Sequence, residues 1–140
     1  MKYQKTTNKI IIRIDKGEEI VQSLSLLCKN LSIKAATIQG IGATNNAKIG
    51  SYNTKTKQYH STEFVGEYEI TSLTGNITTM NNEPYLHLHI TIGDENHHVF
   101  GGHLNSAVIS ATFEAVIDLI SEPIQREFDS TIGLNVLKIK

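Results

Sequence analysis

The 140-residue sequence predicts an α+β domain that is mainly an antiparallel β-sheet, with one principal amphipathic helix packed on it. Two observations predict this class. About eight segments have the composition and alternation of strands, and short turns rather than helices connect them. Only one segment repeats its apolar residues at helical spacing. The length suits a single domain over residues 1–140, which can bury a core without disulfide support.

The first elements are a strand and that helix. Residues 9–15, KIIIRID, are rich in β-branched side chains and predict the first strand. A helix is expected over residues 16–30, because Asp15 and Glu18 resemble a capping pair. Its apolar face would be formed by Ile20, Leu24, Leu27 and Leu31. The single cysteine, Cys28, lies in this helix and is expected in the core rather than as a nucleophile.

The middle of the chain reads as a series of strands. Residues 33–39 have strand composition and lead into Gly40-Ile-Gly42, which we expect to be a structural turn. Residues 47–52 and 58–64 predict a hairpin around a polar, lysine-containing tip. Another extended stretch follows over residues 66–77.

Residues 84–92 alternate strictly between apolar and polar side chains, which is the period of a half-buried strand. The apolar positions are Leu86, Leu88, Ile90 and Ile92. His87 and His89 therefore point to the same side, away from the core. The sequence Gly-Asp-Glu-Asn after this strand predicts a tight turn with Asn96 in the left-handed conformation. The resulting hairpin register places His103 opposite His87, whereas a slip by one residue would turn apolar side chains to the polar face.

The segment 107–119 has an alanine content that favours helix, but Ala107, Ile109, Ala111, Phe113, Ala115, Ile117 and Leu119 occupy strictly odd positions, whereas Ser110, Thr112, Glu114 and Asp118 occupy even ones. We therefore predict a long strand. A loop containing Arg126 and Asp129 is expected next, and residues 133–139 supply a last strand.

Three histidines, His87, His89 and His103, form the candidate metal site. Converging imidazoles on two adjacent strands offer a divalent transition metal neutral nitrogen donors on a rigid support, with one coordination position left open. Zinc is the first choice for such a donor set. The alternative is that these histidines are solvated, or lie at a subunit contact, on the outer face of an antiparallel sheet. The other three histidines, His60, His97 and His98, are expected on the surface.

Composition and charge limit the partners. The longest apolar run, Ile10–Ile12, is far too short to span a bilayer, so no membrane partner is expected. The N-terminus has no apolar stretch of signal-peptide length, and with one cysteine this predicts a cytoplasmic protein. The net charge is −1 with only two arginines, which gives little support for binding to phosphate backbones.

At this point the motifs resemble a known family, the PPC domain, named for plants and prokaryotes, in its stand-alone bacterial type. The resemblance runs nearly end to end, and the HLH and GGHL motifs are fairly specific in combination. It rests on Gly40-Ile-Gly42-Ala43, Gly66-Glu-Tyr-Glu69-Ile70, Pro84-Tyr-Leu-His87-Leu-His89, Gly101-Gly102-His103-Leu104, Thr112-Phe-Glu114 and Arg126…Asp129…Gly133-Leu134.

The resemblance implies an antiparallel sheet with a flanking helix and assembly as a homotrimer. In several bacterial members it also implies a metal held by the histidines that correspond to His87, His89 and His103. Plant members are DNA-associated, and bacterial members carry the same DNA-binding label. This chain departs from the plant pattern, because it contains no Arg-Gly-Arg-Pro core and has Glu67 where those members typically have arginine. The minor-groove reader of the plant proteins is therefore missing from this sequence.

Two functions remain open from the sequence. The first is a homotrimeric, metal-binding PPC protein that acts as a binding or regulatory module, with DNA or a small molecule at the metal as partners. The second is a metal-dependent lyase or hydrolase, because the domain is similar in fold to acetolactate decarboxylase, whose zinc is held by an HxH pair and a later histidine. In that case Glu69 or Glu114 would be the catalytic candidates for proton exchange.

Overall fold

The computed structural model describes residues 1–139 and contains eight strands and one helix. In chain order the elements are β1 (Lys2–Lys5), β2 (Lys9–Asp15), α1 (Ile20–Asn30), β3 (Ala36–Asn53), β4 (Gln58–Met80), β5 (Glu83–Gly93), β6 (Val99–Leu119), β7 (Arg126–Asp129) and β8 (Leu134–Leu137). The predicted α+β class, dominated by an antiparallel sheet with one helix, is confirmed.

One six-stranded sheet carries the fold, in the order β1-β2-β6-β3-β4-β5, and all its pairings are antiparallel. Strand β5 also pairs with the beginning of β6, so β3, β4, β5 and β6 form a closed ring of neighbours. The short hairpin β7-β8 forms a separate two-stranded sheet. Within residues 1–139, no helix has the length and apolar composition that crossing a bilayer requires.

Three strands are much longer than the sequence predicted, because bulges bend them without ending them. Gly40-Ile-Gly42 is not a turn, as we expected, but lies inside β3 at a register shift against β4. The reason is close packing between strands. A Cβ placed on Gly40 would lie only 2.5 Å from Cζ of Phe113 in β6, so glycine lets the two strands approach.

Helix α1 begins later than predicted. Its N-cap is Glu19, whose carboxylate accepts hydrogen bonds from the backbone N–H groups of Val21 and Gln22 at 2.9 and 2.7 Å. The same carboxylate accepts from the backbone N–H of Ala107 in β6 at 2.8 Å. Asp15 and Glu18 do contact each other, since the Glu18 carboxylate accepts from the backbone N–H of Asp15 at 2.8 Å, but the prediction that they cap the helix is wrong. The actual cap also ties the helix to the sheet.

The core lies between the helix and the inner face of the sheet. Helix α1 buries Ile20, Leu24, Leu27 and Cys28. Strand β6 confirms the prediction for residues 107–119, with buried side chains at Ala107, Ile109, Phe113, Ala115 and Ile117. Burial of one apolar face therefore outweighs the helical preference of the alanines. Burial also raises the pKa of the Cys28 thiol to about 12, which agrees with a core residue rather than a nucleophile.

The register of the β5-β6 hairpin differs from our prediction by two residues. His103 pairs with His89, not with His87, and Ile92 pairs with Phe100. The loop is longer than expected, and its left-handed residue is His97, with φ of 63°, instead of Asn96. The Asp94 carboxylate holds this loop by accepting from the backbone N–H groups of Asn96 and His98.

The segment that we predicted as a loop around Arg126 and Asp129 is strand β7, and β8 follows it over Leu134–Leu137. The two strands pair from Arg126 against Leu137 to Asp129 against Leu134. We refer to this element, residues 126–137, as the C-terminal hairpin. It is attached to the sheet through Tyr52, whose hydroxyl donates to the carbonyl oxygen of Ile132 at 2.9 Å.

Candidate metal centre

The structure brings His87, His89 and His103 together on the side of β5 and β6 that faces away from the core. Each offers one ring nitrogen, and these three nitrogens all lie within 4.8 Å of one another. The ring centroids are separated by 5.3 to 5.6 Å. The strand period places His87 and His89 side by side, and the hairpin register places His103 across from His89.

A cavity of about 420 Å³ opens beside the histidines. Its lining comes from strands β3, β4, β5 and β6, the turn after β3 and the C-terminal hairpin: Gly50, Ser51, Tyr52, Thr54, Tyr59, Tyr85, His87, His89, Gly102, His103, Arg126, Leu134 and Asn135. Aromatic and apolar side chains form much of the wall, and no carboxylate is among these lining residues. The cavity therefore combines imidazole donors with space for a small molecule.

Two glycines allow close packing of the elements that line this cavity. A Cβ on Gly50 would lie 2.0 Å from the hydroxyl of Tyr59, so that ring packs directly over the backbone of β3. A Cβ on Gly102 would lie 2.6 Å from the carbonyl oxygen of Gly50, so β3 and β6 approach closely at this point. The Tyr59 ring meets His103 edge-on at 6.2 Å, and its hydroxyl donates to Oδ1 of Asn105 at 2.7 Å.

The surroundings of two of the imidazoles favour their neutral form. Burial lowers the pKa of His87, and the positive charges of Arg126, His103 and His89 lower it further. Burial also lowers the pKa of His103, with a smaller contribution from His89. A lowered histidine pKa means that the ring nitrogens keep their lone pairs to more acidic pH. This is the form that coordinates metals.

Arg126 extends from the C-terminal hairpin into this site and is only 8% exposed. Its Nε donates to Oγ1 of Thr78 at 2.9 Å, and Nη1 donates to the carbonyl oxygen of Asn135 at 2.8 Å. Its Nη2 donates to Oδ1 of Asn76 at 2.6 Å and lies 3.4 Å from Nδ1 of His87. The guanidinium also lies over the ring of Tyr85, 4.7 Å from the centroid.

The predicted catalytic glutamates are not at this site. Glu69 and Glu114 line a different cavity, together with Ile41, Gly42, Ile70, Thr71 and Thr112. Glu69 pairs with Gly93, and the β4 residue that pairs with His89 is Thr74. Five residues of strand correspond to about 16 Å, which is too far for direct proton exchange with a ligand at the histidines.

Sequence reasoning missed Arg126 as a site residue, although Arg126 is among the residues on which the family resemblance rests. Tyr85 shares its strand face with His87 and His89, which indicated an aromatic neighbour for the site. Strands β7 and β8 have only four residues each, so no periodic pattern places Arg126 at the site. The other three histidines, His60, His97 and His98, are exposed as predicted.

Comparisons with known proteins identify the family. A sequence model of the Plants and Prokaryotes Conserved (PCC) domain matches residues 1–121. The C-terminal hairpin, which supplies Arg126 and Asn135, lies beyond that match. No curated protein matches the sequence significantly.

Several solved structures are similar over nearly the whole chain. A "putative DNA binding protein" from Bacteroides thetaiotaomicron is 40% identical, with 98% of this chain and 96% of that chain covered and a TM-score of 0.95. A metal-containing protein from Archaeoglobus fulgidus is 33% identical, with 99% and 100% covered and a TM-score of 0.87. A plant- and prokaryote-conserved (PPC) protein from Pyrococcus horikoshii is 31% identical, with 99% and 95% covered and a TM-score of 0.84. The chain therefore belongs to the Plants and Prokaryotes Conserved domain family, abbreviated PCC or PPC.

Proposed function

We propose that His87, His89 and His103 hold one divalent transition metal, with zinc as the first choice. The observation that carries this proposal is the approach of three ring nitrogens to within 4.8 Å of one another. In a tetrahedral site with Zn–N bonds of about 2.0–2.1 Å, ligand nitrogens lie about 3.4 Å apart, so small side-chain rotations would close the set. The metal-containing relative from Archaeoglobus fulgidus supports the same proposal.

The proposed role of the metal is to bind a small molecule in the adjacent cavity. Three protein ligands leave a fourth position for water or a ligand, which is the arrangement of open rather than purely structural zinc sites. A metal bound there would supply a Lewis acid. The chain itself would orient the ligand through the walls of the cavity, among them Tyr59, Tyr85 and Arg126.

The test is metal content. Wild type, His87→Ala, His103→Ala and His98→Ala are purified without an affinity tag or chelator, incubated with zinc, manganese or nickel, desalted and measured by elemental analysis. We expect about one metal per chain in wild type and in His98→Ala, because His98 lies outside the cluster. We expect sharply reduced metal in the other two variants. Equal metal content in wild type and His87→Ala would show that the histidines are only a polar sheet face.

A second candidate, a metal-dependent lyase or hydrolase similar to acetolactate decarboxylase, is favoured by the size of the cavity, about 420 Å³. Neither Glu69 nor Glu114 would serve it within one chain, because both line the other cavity. A reaction at this site would need its proton exchange from the histidines, a tyrosine or solvent. The metal-binding role requires no such group and is the better supported of the two.

We further propose that the protein is a homotrimer. Ile11 and Val116 are paired neighbours on the outer face of the sheet and are 45% and 39% exposed, and Ile41 on the same sheet is 61% exposed. Exposed apolar side chains clustered on one sheet face are typical of subunit contacts. The name of the Bacteroides relative makes DNA a candidate partner, which we propose to be a weak one on the basis of charge.

A further inference from the structure

Within residues 1–139, the buried positive charge of Arg126 has no carboxylate partner. Its polar contacts are Oγ1 of Thr78, Oδ1 of Asn76, the carbonyl oxygen of Asn135 and Nδ1 of His87, all of them neutral groups. None of the ion pairs within residues 1–139 includes Arg126. The nearest thing to a counterion is the face of the Tyr85 ring.

Such an arrangement is unusual because buried charges are normally paired. A buried lysine or histidine can lose its proton, but a guanidinium stays charged at any pH a protein experiences. The neutral dipoles around Arg126 satisfy its hydrogen bonds without neutralising its charge. An anion is therefore the missing component of this environment.

The anion has a place to bind. A guanidinium has five N–H donors, and among the described residues 1–139 the four contacts of Arg126 leave one N–H of Nη1 without a partner. Arg126 lines the cavity of the histidines, and no carboxylate is among the residues that line it. The cavity therefore favours negative charge before any metal is considered, and a divalent cation at the histidines would strengthen that preference.

The other side chains that line the cavity indicate the chemistry of the uncharged part of the ligand. Tyr52, Tyr59 and Leu134 line the same cavity, and they offer aromatic and aliphatic surface to the part of a ligand that is not charged. A bare inorganic ion would leave this surface in contact with water.

We propose that the cavity binds a small organic carboxylate, whose carboxylate group lies against Arg126 and whose apolar body packs against Tyr52, Tyr59 and Leu134. Arg126 is suited to this role because its planar guanidinium matches a carboxylate. The inference deepens the proposed metal function, on which it rests for a second positive charge beside the carboxylate. Arg126 remains its primary anchor.

The test uses three probes and calorimetric titration of the full chain, once stripped of metal and once loaded with zinc. Benzoate carries both a carboxylate and an apolar body, benzamide has the same shape without the charge, and formate has the charge without the apolar body. We expect wild type to bind benzoate about tenfold or more tightly than either benzamide or formate, in both metal states.

Variants test whether Arg126 is the residue that causes the preference for benzoate over benzamide. Arg126→Gln keeps several hydrogen bonds but removes the charge, and in the metal-stripped protein it is expected to bind benzoate no more tightly than benzamide. Arg126→Lys keeps the charge and should retain part of the preference. Arg13→Gln is the matched control, because Arg13 is exposed and already paired with Asp15 at 2.7 Å, and it should behave as wild type.

The outcomes separate the two proposals. Equal binding of benzoate and benzamide by wild type, or an unchanged preference in Arg126→Gln, would overturn the carboxylate proposal even where zinc is bound. Loss of zinc binding with the benzoate preference intact in the stripped protein would overturn the metal centre alone. If Arg126→Gln does not fold, the test uses NMR of the wild-type protein, in which the backbone amide and side-chain chemical shifts of Tyr85 and Asn135 are followed. Benzoate must perturb them and benzamide must not.

Discussion

At the scale of single residues, the site is defined by neutral nitrogen donors beside one permanent positive charge. Burial lowers the pKa of both His87 and His103, and the guanidinium of Arg126 acts in the same direction on His87. These environments favour the neutral ring in the folded protein relative to the unfolded chain. The fold therefore gains stability from these residues only while they are unprotonated.

The pH dependence of the metal-free protein follows from that sign. The folded pKa values of His87 and His103 lie below the unfolded value of about 6.5, so their contribution is fully present above pH 6.5. It is lost as the pH falls through the folded values, because the unfolded chain then binds more protons. We expect the urea concentration at the midpoint of unfolding to decrease as the pH is lowered from about 7.5 to about 5.

The control for this prediction is a matched pair of variants measured by circular dichroism in urea. In His87→Gln the difference between the two midpoints should shrink, whereas His60→Gln changes an exposed residue outside the cluster and should preserve it. A wild-type midpoint that does not change with pH, or an equal effect of both variants, would contradict the prediction.

At the scale of elements, the sheet depends on close approach between long strands. At Gly40 in β3, a Cβ would lie 2.5 Å from Phe113 Cζ and 2.6 Å from Cβ of Ala115, both in β6. Neither neighbour can move freely, because Phe113 is fully buried and Ala115 is 4% exposed. Glycine at this position is therefore a packing requirement of the β3-β6 pair.

We predict that Gly40→Ala lowers the free energy of unfolding by about 1–3 kcal/mol, the usual cost of overpacking a well-filled interior. Gly93→Ala is the matched control in β5, because the nearest atom to its added Cβ would be 3.7 Å away. That variant should be neutral or slightly stabilising, since alanine restricts the unfolded chain. Urea denaturation followed by circular dichroism measures both values. Similar stability of the two variants would show that β3 and β6 can separate at little cost.

At the scale of the whole molecule, the outer sheet face predicts self-association. Sedimentation equilibrium at micromolar concentration should give about three times the mass of the 15.5 kDa chain. Ile11→Glu with Val116→Glu would place charge in the exposed apolar pair and should shift the mass toward the monomer. Tyr3→Glu changes another exposed residue, in β1, and serves as the control. A monomeric wild type would exclude the trimer.

Charge predicts a weak interaction with DNA. The chain has a net charge of −1 and two arginines, of which Arg126 is buried and Arg13 is paired with Asp15. The remaining cationic side chains are lysines, and 14 acidic side chains offset their charge. Fluorescence anisotropy with duplex DNA should show weak binding that falls steeply between about 50 mM and about 200 mM salt. Tight, sequence-selective binding at the higher salt would contradict this prediction and would indicate that assembly gathers lysines into one patch.

The sequence by itself determined which faces the strands present. Strict alternation over residues 84–92 and 107–119 established two strands and their buried sides, because a period of two matches one apolar face. The same alternation placed His87 and His89 on one side, and together with the predicted turn after the strand it predicted a cluster with His103. Strand formation and the side to which each side chain points depend on residues that are neighbours along the chain, so the sequence can predict them.

Only the tertiary structure decided how far the strands slide past one another and what approaches the site. A shift of two residues preserves every face, so the apolar pattern could not choose between His87 and His89 as the partner of His103. The Asp94–His98 loop made that choice through its own hydrogen bonds. Arg126 reaches His87 from 39 residues away, through strands of only four residues whose pairing depends on the surface beneath them. A contact of that kind has no periodic signal in the sequence, because long-range packing alone creates it.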